Sequence, residues 1–153
     1  MIFINTSNQK LYLIKADKVI FESIISSSLY GLGCLMDSNK TPTGLHTVTS
    51  KLGDKLSAGT LFKNRIPTST IISKIPQDSQ DYITSRIIRL SGLEDGHNKG
   101  GNVDTFDRYI YIHGTPHIDK LGRPESHGCI RMSDENVIKL FNLIKLKELV
   151  LID

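Results

Sequence analysis

A chain of 153 residues is long enough to bury a hydrophobic core without disulfides or metals, and one domain over residues 1–153 is expected. Apolar residues make up 39% and charged residues 23%, a balance that excludes both a disordered chain and a membrane-spanning one. The 19 basic residues exceed the 16 acidic ones by only three and form no run of five or six, so no nucleic-acid partner is expected.

Residues 2–4, 10–14 and 19–25 read as three opening strands, because Leu11, Leu13, Val19 and Phe21 recur at the spacing of two that suits a half-buried sheet. Residues 29–44 are dense in Gly, Ser and Asn and close on Pro42-Thr43-Gly44. This predicts a long loop, of a length that is often functional. Further strands are expected at 45–53 and 60–66. Residues 81–93 fit a helix or a strand by periodicity, but the β-branched Thr84, Ile87 and Ile88 and the terminating Gly92 favour a strand.

After a second loop at 94–104, residues 108–115 should form a central strand buried on both faces, ending near His113. Ser133 is placed to cap one helix, with Asp134 and Glu135 in its first turn and Val137, Ile138, Leu140, Phe141 and Ile144 on its apolar face. Residues 148–152 give a last strand. The expected class is mainly β with one clear α-helix.

The opening residues MIFINTSNQKLYLIKADK show no basic leader, apolar signal core or small-residue cleavage site. A cytoplasmic protein is therefore expected, or a periplasmic one if the sequence is part of a longer chain. Two cysteines, Cys34 and Cys129, fit a reducing compartment. A bridge between them is conceivable by parity but would consume the thiol of the motif that follows.

That motif is SHGCIRM, residues 126–132, read with YIHGT, residues 111–115. A thiol attacks a carbonyl as thiolate and so needs a neighbouring base or positive field to lower a pKa of about 8.5. Gly128 allows a tight turn that presents Cys129 outward, where the Gly128 and Cys129 amides could converge on an oxyanion. His113 at a strand end is the better base, and the Gly114 carbonyl could orient it. His127, two residues before the thiol, faces the substrate side. The pair predicts a titrating group near neutrality. Cys34 has no adjacent His and reads as a small buried hydrophobe. Zinc held by His113, His117, His127 and Cys129 is the competing arrangement, weakened by Gly114 and Pro116, which disfavour the helix that a His113/His117 pair would need.

HGT, then LGRPESHGCIRM, then a helix and a short strand resembles the YkuD-type L,D-transpeptidase catalytic domain. The segment Asn8-Gln9-Lys10-Leu11-Tyr12 and the TPTG turn at 41–44 match as well, so the resemblance covers nearly the whole chain. It implies a β-sandwich of mixed sheets, Cys129 as nucleophile, His113 as base oriented by the Gly114 carbonyl, and Gly128 and Cys129 amides as oxyanion hole. Ser126, His127 and Arg131 would line the substrate side, with Arg131 standing where many members have Asn. It further implies a peptidoglycan tetrapeptide substrate cut between meso-diaminopimelate and D-alanine, susceptibility to carbapenem acylation, and no cofactor, metal or membrane partner.

The YGLG loop at 30–33, the GLEDGHNKGG segment at 92–101 and the short length resemble the small L,D-carboxypeptidases of that family, which trim recycled muropeptides as soluble proteins; a monomer is expected. The alternatives are a transpeptidase making 3-3 cross-links or exchanging D-amino acids, and a muropeptide-binding domain without catalysis.

Overall fold

The computed structural model describes residues 1–153. Ten strands and one helix follow in the order β1 (Ile2–Asn5), β2 (Lys10–Lys15), β3 (Lys18–Ile24), β4 (Gly44–Leu52), β5 (Thr60–Lys63), β6 (Ile66–Ile71), β7 (Ile83–Gly92), β8 (Tyr111–Thr115), β9 (Ile130–Ser133), α1 (Asp134–Leu143) and β10 (Leu149–Ile152). The class is the one expected, mainly β with a single α-helix.

All ten strands hydrogen-bond into one mixed sheet that runs β3-β2-β1-β10-β4-β7 and continues on the far edge of β7 through β8 to β9, while β5 and β6 branch from the first residues of β7. The sheet curls. Leu11 and Leu13 of β2 share one apolar core with Ile130 and Met132 of β9, although five strands separate β2 and β9 in the pairing order. The chain after β3 completes the turn: Ser26 exchanges backbone hydrogen bonds with Arg131 at 2.9 and 3.0 Å, and Ser28 bridges Ser126.

The helix closes the core. Ser133 caps it by accepting from the Asn136 amide at 3.3 Å, and Val137, Leu140 and Phe141 are buried along its inner face. Burying such a side chain stabilises by roughly 1.5–3 kcal/mol, so this face anchors β7, β8 and β9 beneath the site.

Two expectations are corrected, and one strand is added. Residues 60–66 are not one strand but the first arm of a hairpin: Asn64 and Arg65 adopt positive φ of 49° and 67°, and β6 returns along β5. The strand expected over 108–115 begins only at Tyr111, since Tyr109 has φ 56°. Between Cys129 and the helix lies β9, which pairs in parallel with β8.

Candidate active site

Parallel pairing of β8 and β9 puts Ile112 opposite Ile130 and His113 opposite Arg131. Side chains alternate along a strand. Ile112, Ile130 and Met132 therefore enter the main core, while Tyr111, His113 and Arg131 share the other face with Cys129. The strand period alone brings the nucleophile and base candidates to one surface.

Cys129 is half-buried against Tyr111, Phe62 and Ile87. Its Sγ accepts the Tyr111 amide at 3.3 Å and donates to the Tyr109 carbonyl at 3.5 Å. Burial, with the Asp81 carboxylate, pushes the thiol up, the Tyr111 amide and the charges of Arg131 and Arg108 pull it down, and the balance leaves it at about 12. The resting group is thus a neutral thiol.

His113 is buried, and its Nδ1 lies 2.8 Å from the Gly114 carbonyl. A carbonyl only accepts, so Nδ1 carries the proton and Nε2 keeps the lone pair a base requires. Burial lowers the pKa of His113, against the Asp81 carboxylate and the Gly114 carbonyl, which raise it. The balance leaves this group below the ordinary histidine value. Gly114 is confined: a Cβ there would lie 2.5 Å from both the Thr84 carbonyl and Asp134 Oδ1.

The loop before β9 is fixed by buried hydroxyls. Ser126 Oγ donates to the Cys129 carbonyl at 2.6 Å and accepts the Gly128 amide at 3.3 Å; Thr41 Oγ1 donates to the Gly128 carbonyl at 3.0 Å. Gly128 sits at φ 124°, in a region that disfavours side chains. Of the two amides expected to bind an oxyanion, Gly128 is engaged by Ser126, whereas that of Cys129 has no acceptor within the protein.

Two residues expected on the substrate side are placed differently. Ser126 is fully buried, its hydroxyl spent inside the loop. Arg131 is 2% exposed and its Nη2 lies 2.7 Å from Asp81 Oδ2, so it is already paired with a carboxylate of the protein. His127 alone of the three is at the rim, its ring 5.8 Å from that of Tyr30 and its Nδ1 3.4 Å from Asp81 Oδ2.

Asp81 is the residue that sequence reasoning missed. It precedes β7, yet it meets Arg131 and His127, and it acts electrostatically on His113 and Cys129. Burial raises its pKa, but the charges of His113 and Arg131 and the hydrogen bonds from Arg131 and His127 outweigh that and leave it lowered. A groove of about 730 Å³, lined by Lys63, Ile72, Pro76, Gln80 and Tyr82 among others, ends at the two residues flanking Asp81.

The cysteines are both free. His117 Nε2 is 3.0 Å from the Gln80 carbonyl, and no three of the His, Cys, Asp and Glu side chains gather at metal-binding distance, so the four zinc-ligand candidates do not converge.

A buried imidazole with a fixed tautomer and a thiol thus lie on one sheet face. The sequence model of YkuD, the L,D-transpeptidase catalytic domain, matches residues 1–152. The chain belongs to that family and is an L,D-transpeptidase-type catalytic domain.

No curated protein sequence gives a significant match. Solved structures with the same fold include a cysteine-to-serine mutant of the Enterococcus faecium L,D-transpeptidase (TM-score 0.60, 18% identity, covering 99% of this chain and 48% of that one). L,D-transpeptidase LdtMt1 in complex with imipenem is similar at TM-score 0.62 and 16% identity, covering 99% of this chain and 57% of the other. L,D-transpeptidase 3 from Mycobacterium tuberculosis, with a faropenem-derived adduct, is similar at TM-score 0.56 and 19% identity, covering 99% and 59%. This chain spans about half to three-fifths of their length.

Proposed function

We propose that this domain is a cysteine acyl-transfer enzyme on peptidoglycan tetrapeptide stems, and that its acceptor is water, which makes it an L,D-carboxypeptidase releasing terminal D-alanine. The supporting observation is the placement of His113 and Cys129 on one face of β8 and β9, with the Gly114 carbonyl holding Nδ1 as the donor.

His113 Nε2 takes the thiol proton as Sγ attacks the carbonyl carbon of the diaminopimelate L-centre. The carbonyl electrons move onto oxygen, where the Cys129 amide receives the charge. Collapse breaks the C–N bond, His113 returns the proton to the departing D-alanine amine, and a thioester remains on Cys129. Water then attacks the thioester carbon, giving its proton to His113; the C–S bond breaks and the proton returns to sulfur. Arg131 does not bind substrate in this scheme. It holds Asp81 beside His113, where the carboxylate stabilises the imidazolium of each half-reaction.

Transpeptidation is the second reading, favoured by structural neighbours that are L,D-transpeptidases. Disaccharide tetrapeptide incubated with the protein and followed by mass spectrometry separates the two. Tripeptide with free D-alanine is expected. Predominant cross-linked dimer would replace hydrolysis with transpeptidation, and unchanged tetrapeptide would remove both. Soluble muropeptide in the cytoplasm is the proposed setting, tested by fractionating cells that express the protein.

A further inference from the structure

With Arg131 buried and paired, a peptide carboxylate entering the site needs another partner, and two guanidiniums packed on the Tyr109 ring form no ion pair with any carboxylate. Arg65, exposed in the β5–β6 turn, lays its guanidinium carbon 4.6 Å from the ring centre of Tyr109 and donates from Nη1 to the Tyr111 hydroxyl at 3.5 Å. Arg89 of β7 stands 5.0 Å from the same ring and 3.4 Å from the ring of Phe106, and its Nη2 donates to the Phe106 carbonyl at 2.9 Å.

Tyr109, whose ring both guanidiniums face, and Tyr111, whose hydroxyl accepts from Arg65, are the two residues whose backbones touch the nucleophile: Tyr111 gives its amide to Cys129 Sγ and Tyr109 offers its carbonyl. Tyr109 does this at φ 56°, a conformation that bulky side chains rarely adopt. The bend turns its carbonyl to the thiol, while both guanidiniums approach its half-exposed ring. Stacking on a ring face occupies a guanidinium's plane and leaves its N–H edge for a planar carboxylate. Two like charges near one ring repel, and a bound anion offsets that repulsion.

We propose that Arg65, sharing the Tyr109 ring with Arg89, forms a subsite for a free peptide carboxylate close to the carbonyl that Cys129 attacks. The inference rests on the acyl-transfer reading above and adds what selects the substrate. The carboxylate has two sources in a stem peptide: the terminal α-carboxylate of the leaving residue, and the side-chain carboxylate of the diamino acid.

Calorimetric titration of the Cys129→Ala protein with tetrapeptide, with its C-terminal amide, and with its diamino-acid side-chain amide tests the subsite and distinguishes the sources. Amidation at one of the two positions is expected to weaken binding about tenfold or more, the range for losing a charge-assisted hydrogen bond. Arg65→Gln on the same background should erase that difference, binding the free acid as weakly as the amide, and Arg65→Lys should keep part of it. Equal affinities for all three peptides, no binding of any, or an Arg65→Gln loss that falls equally on acid and amides would overturn the proposal. Because the thiol is absent from this experiment, a peptide that binds with acid preference yet is not turned over by the intact protein counts against acyl transfer alone.

Discussion

Arg131 and Asp81 form a buried ion pair through one contact, Nη2 to Oδ2 at 2.7 Å, while Arg131 Nε and Asp81 Oδ1 are both buried without a partner. Fifty positions separate the two residues, and their meeting ties the segment before β7 to the face that carries His113 and Cys129. Removing the carboxylate leaves an uncompensated guanidinium in the interior. A fully buried pair loses about 3–5 kcal/mol in this way. Asp81 retains 27% side-chain exposure, so Asp81→Asn should cost nearer 2 kcal/mol in urea unfolding. The double variant Arg131→Met, Asp81→Asn should recover part of that loss, and strict additivity of the two single changes would contradict the pairing.

The Asp81 carboxylate also bears on the base. It raises the pKa of His113 against burial, so neutralising it should lower that pKa further. Nuclear magnetic resonance titration of His113 in Cys129→Ala protein, with and without Asp81→Asn, measures the shift. Asp81→Glu should restore it. An unmoved titration would leave Asp81 with a structural role only.

A second buried histidine sets the acid stability. His46 is fully buried between the Gly44 carbonyl and Thr105 Oγ1, and burial lowers its pKa to about 4. The unfolded chain binds this proton near pH 6.5 and the folded chain only near 4, so stability is complete above 6.5 and falls as pH drops through that window. The loss reaches at most about 3 kcal/mol at pH 4. His46→Gln should flatten this part of the profile of urea midpoints against pH.

Burial of the thiol predicts a quiet cysteine. With Cys129 pushed up to about 12, alkylation by iodoacetamide should be slow at pH 7 and climb through pH 9 without a plateau, unlike a preformed thiolate–imidazolium pair. Arg108, whose guanidinium binds the Gly33 and Lys40 carbonyls at 3.1 and 2.6 Å, lowers the thiol pKa. Arg108→Gln should slow alkylation further. A plateau below pH 7 would contradict the resting neutral thiol.

Ser126 contributes by shaping the loop. Ser126→Ala orphans the Gly128 amide and the Cys129 carbonyl together, a loss of about 1–3 kcal/mol for each buried group left unpaired. Thermal unfolding should fall by several degrees, and kcat should fall more than KM rises, because the loop positions the nucleophile without touching substrate. A change confined to KM would return Ser126 to the substrate side.

The parts of this structure legible in the sequence are those decided by local pattern. Alternation at Leu11, Leu13 and Phe21 gave the opening strands, and Ser133 with Asp134 and Glu135 marked the helix start. Gly128 beside Cys129 pointed to the motif loop. What escaped depends on distant contacts. Strand β6 has exposed residues and Pro67, so no buried face betrays it. Strand β9 has four residues, too few for a periodicity, and exists because β8 and Ser26 supply its hydrogen bonds. Asp81 opens the segment expected as a strand over 81–93, where nothing local marks its carboxylate for the site; it meets Arg131 because β7 pairs with β8 and β8 with β9.

The central claim is that Cys129 is an acylatable nucleophile. Intact-protein mass spectrometry after incubation with imipenem, followed by peptide mapping, measures this directly. The expected result is a single covalent adduct on the peptide containing Cys129, absent from Cys129→Ala and unaffected by Cys34→Ala. An adduct mapped to Cys34, or no adduct after prolonged incubation of folded protein, would contradict it.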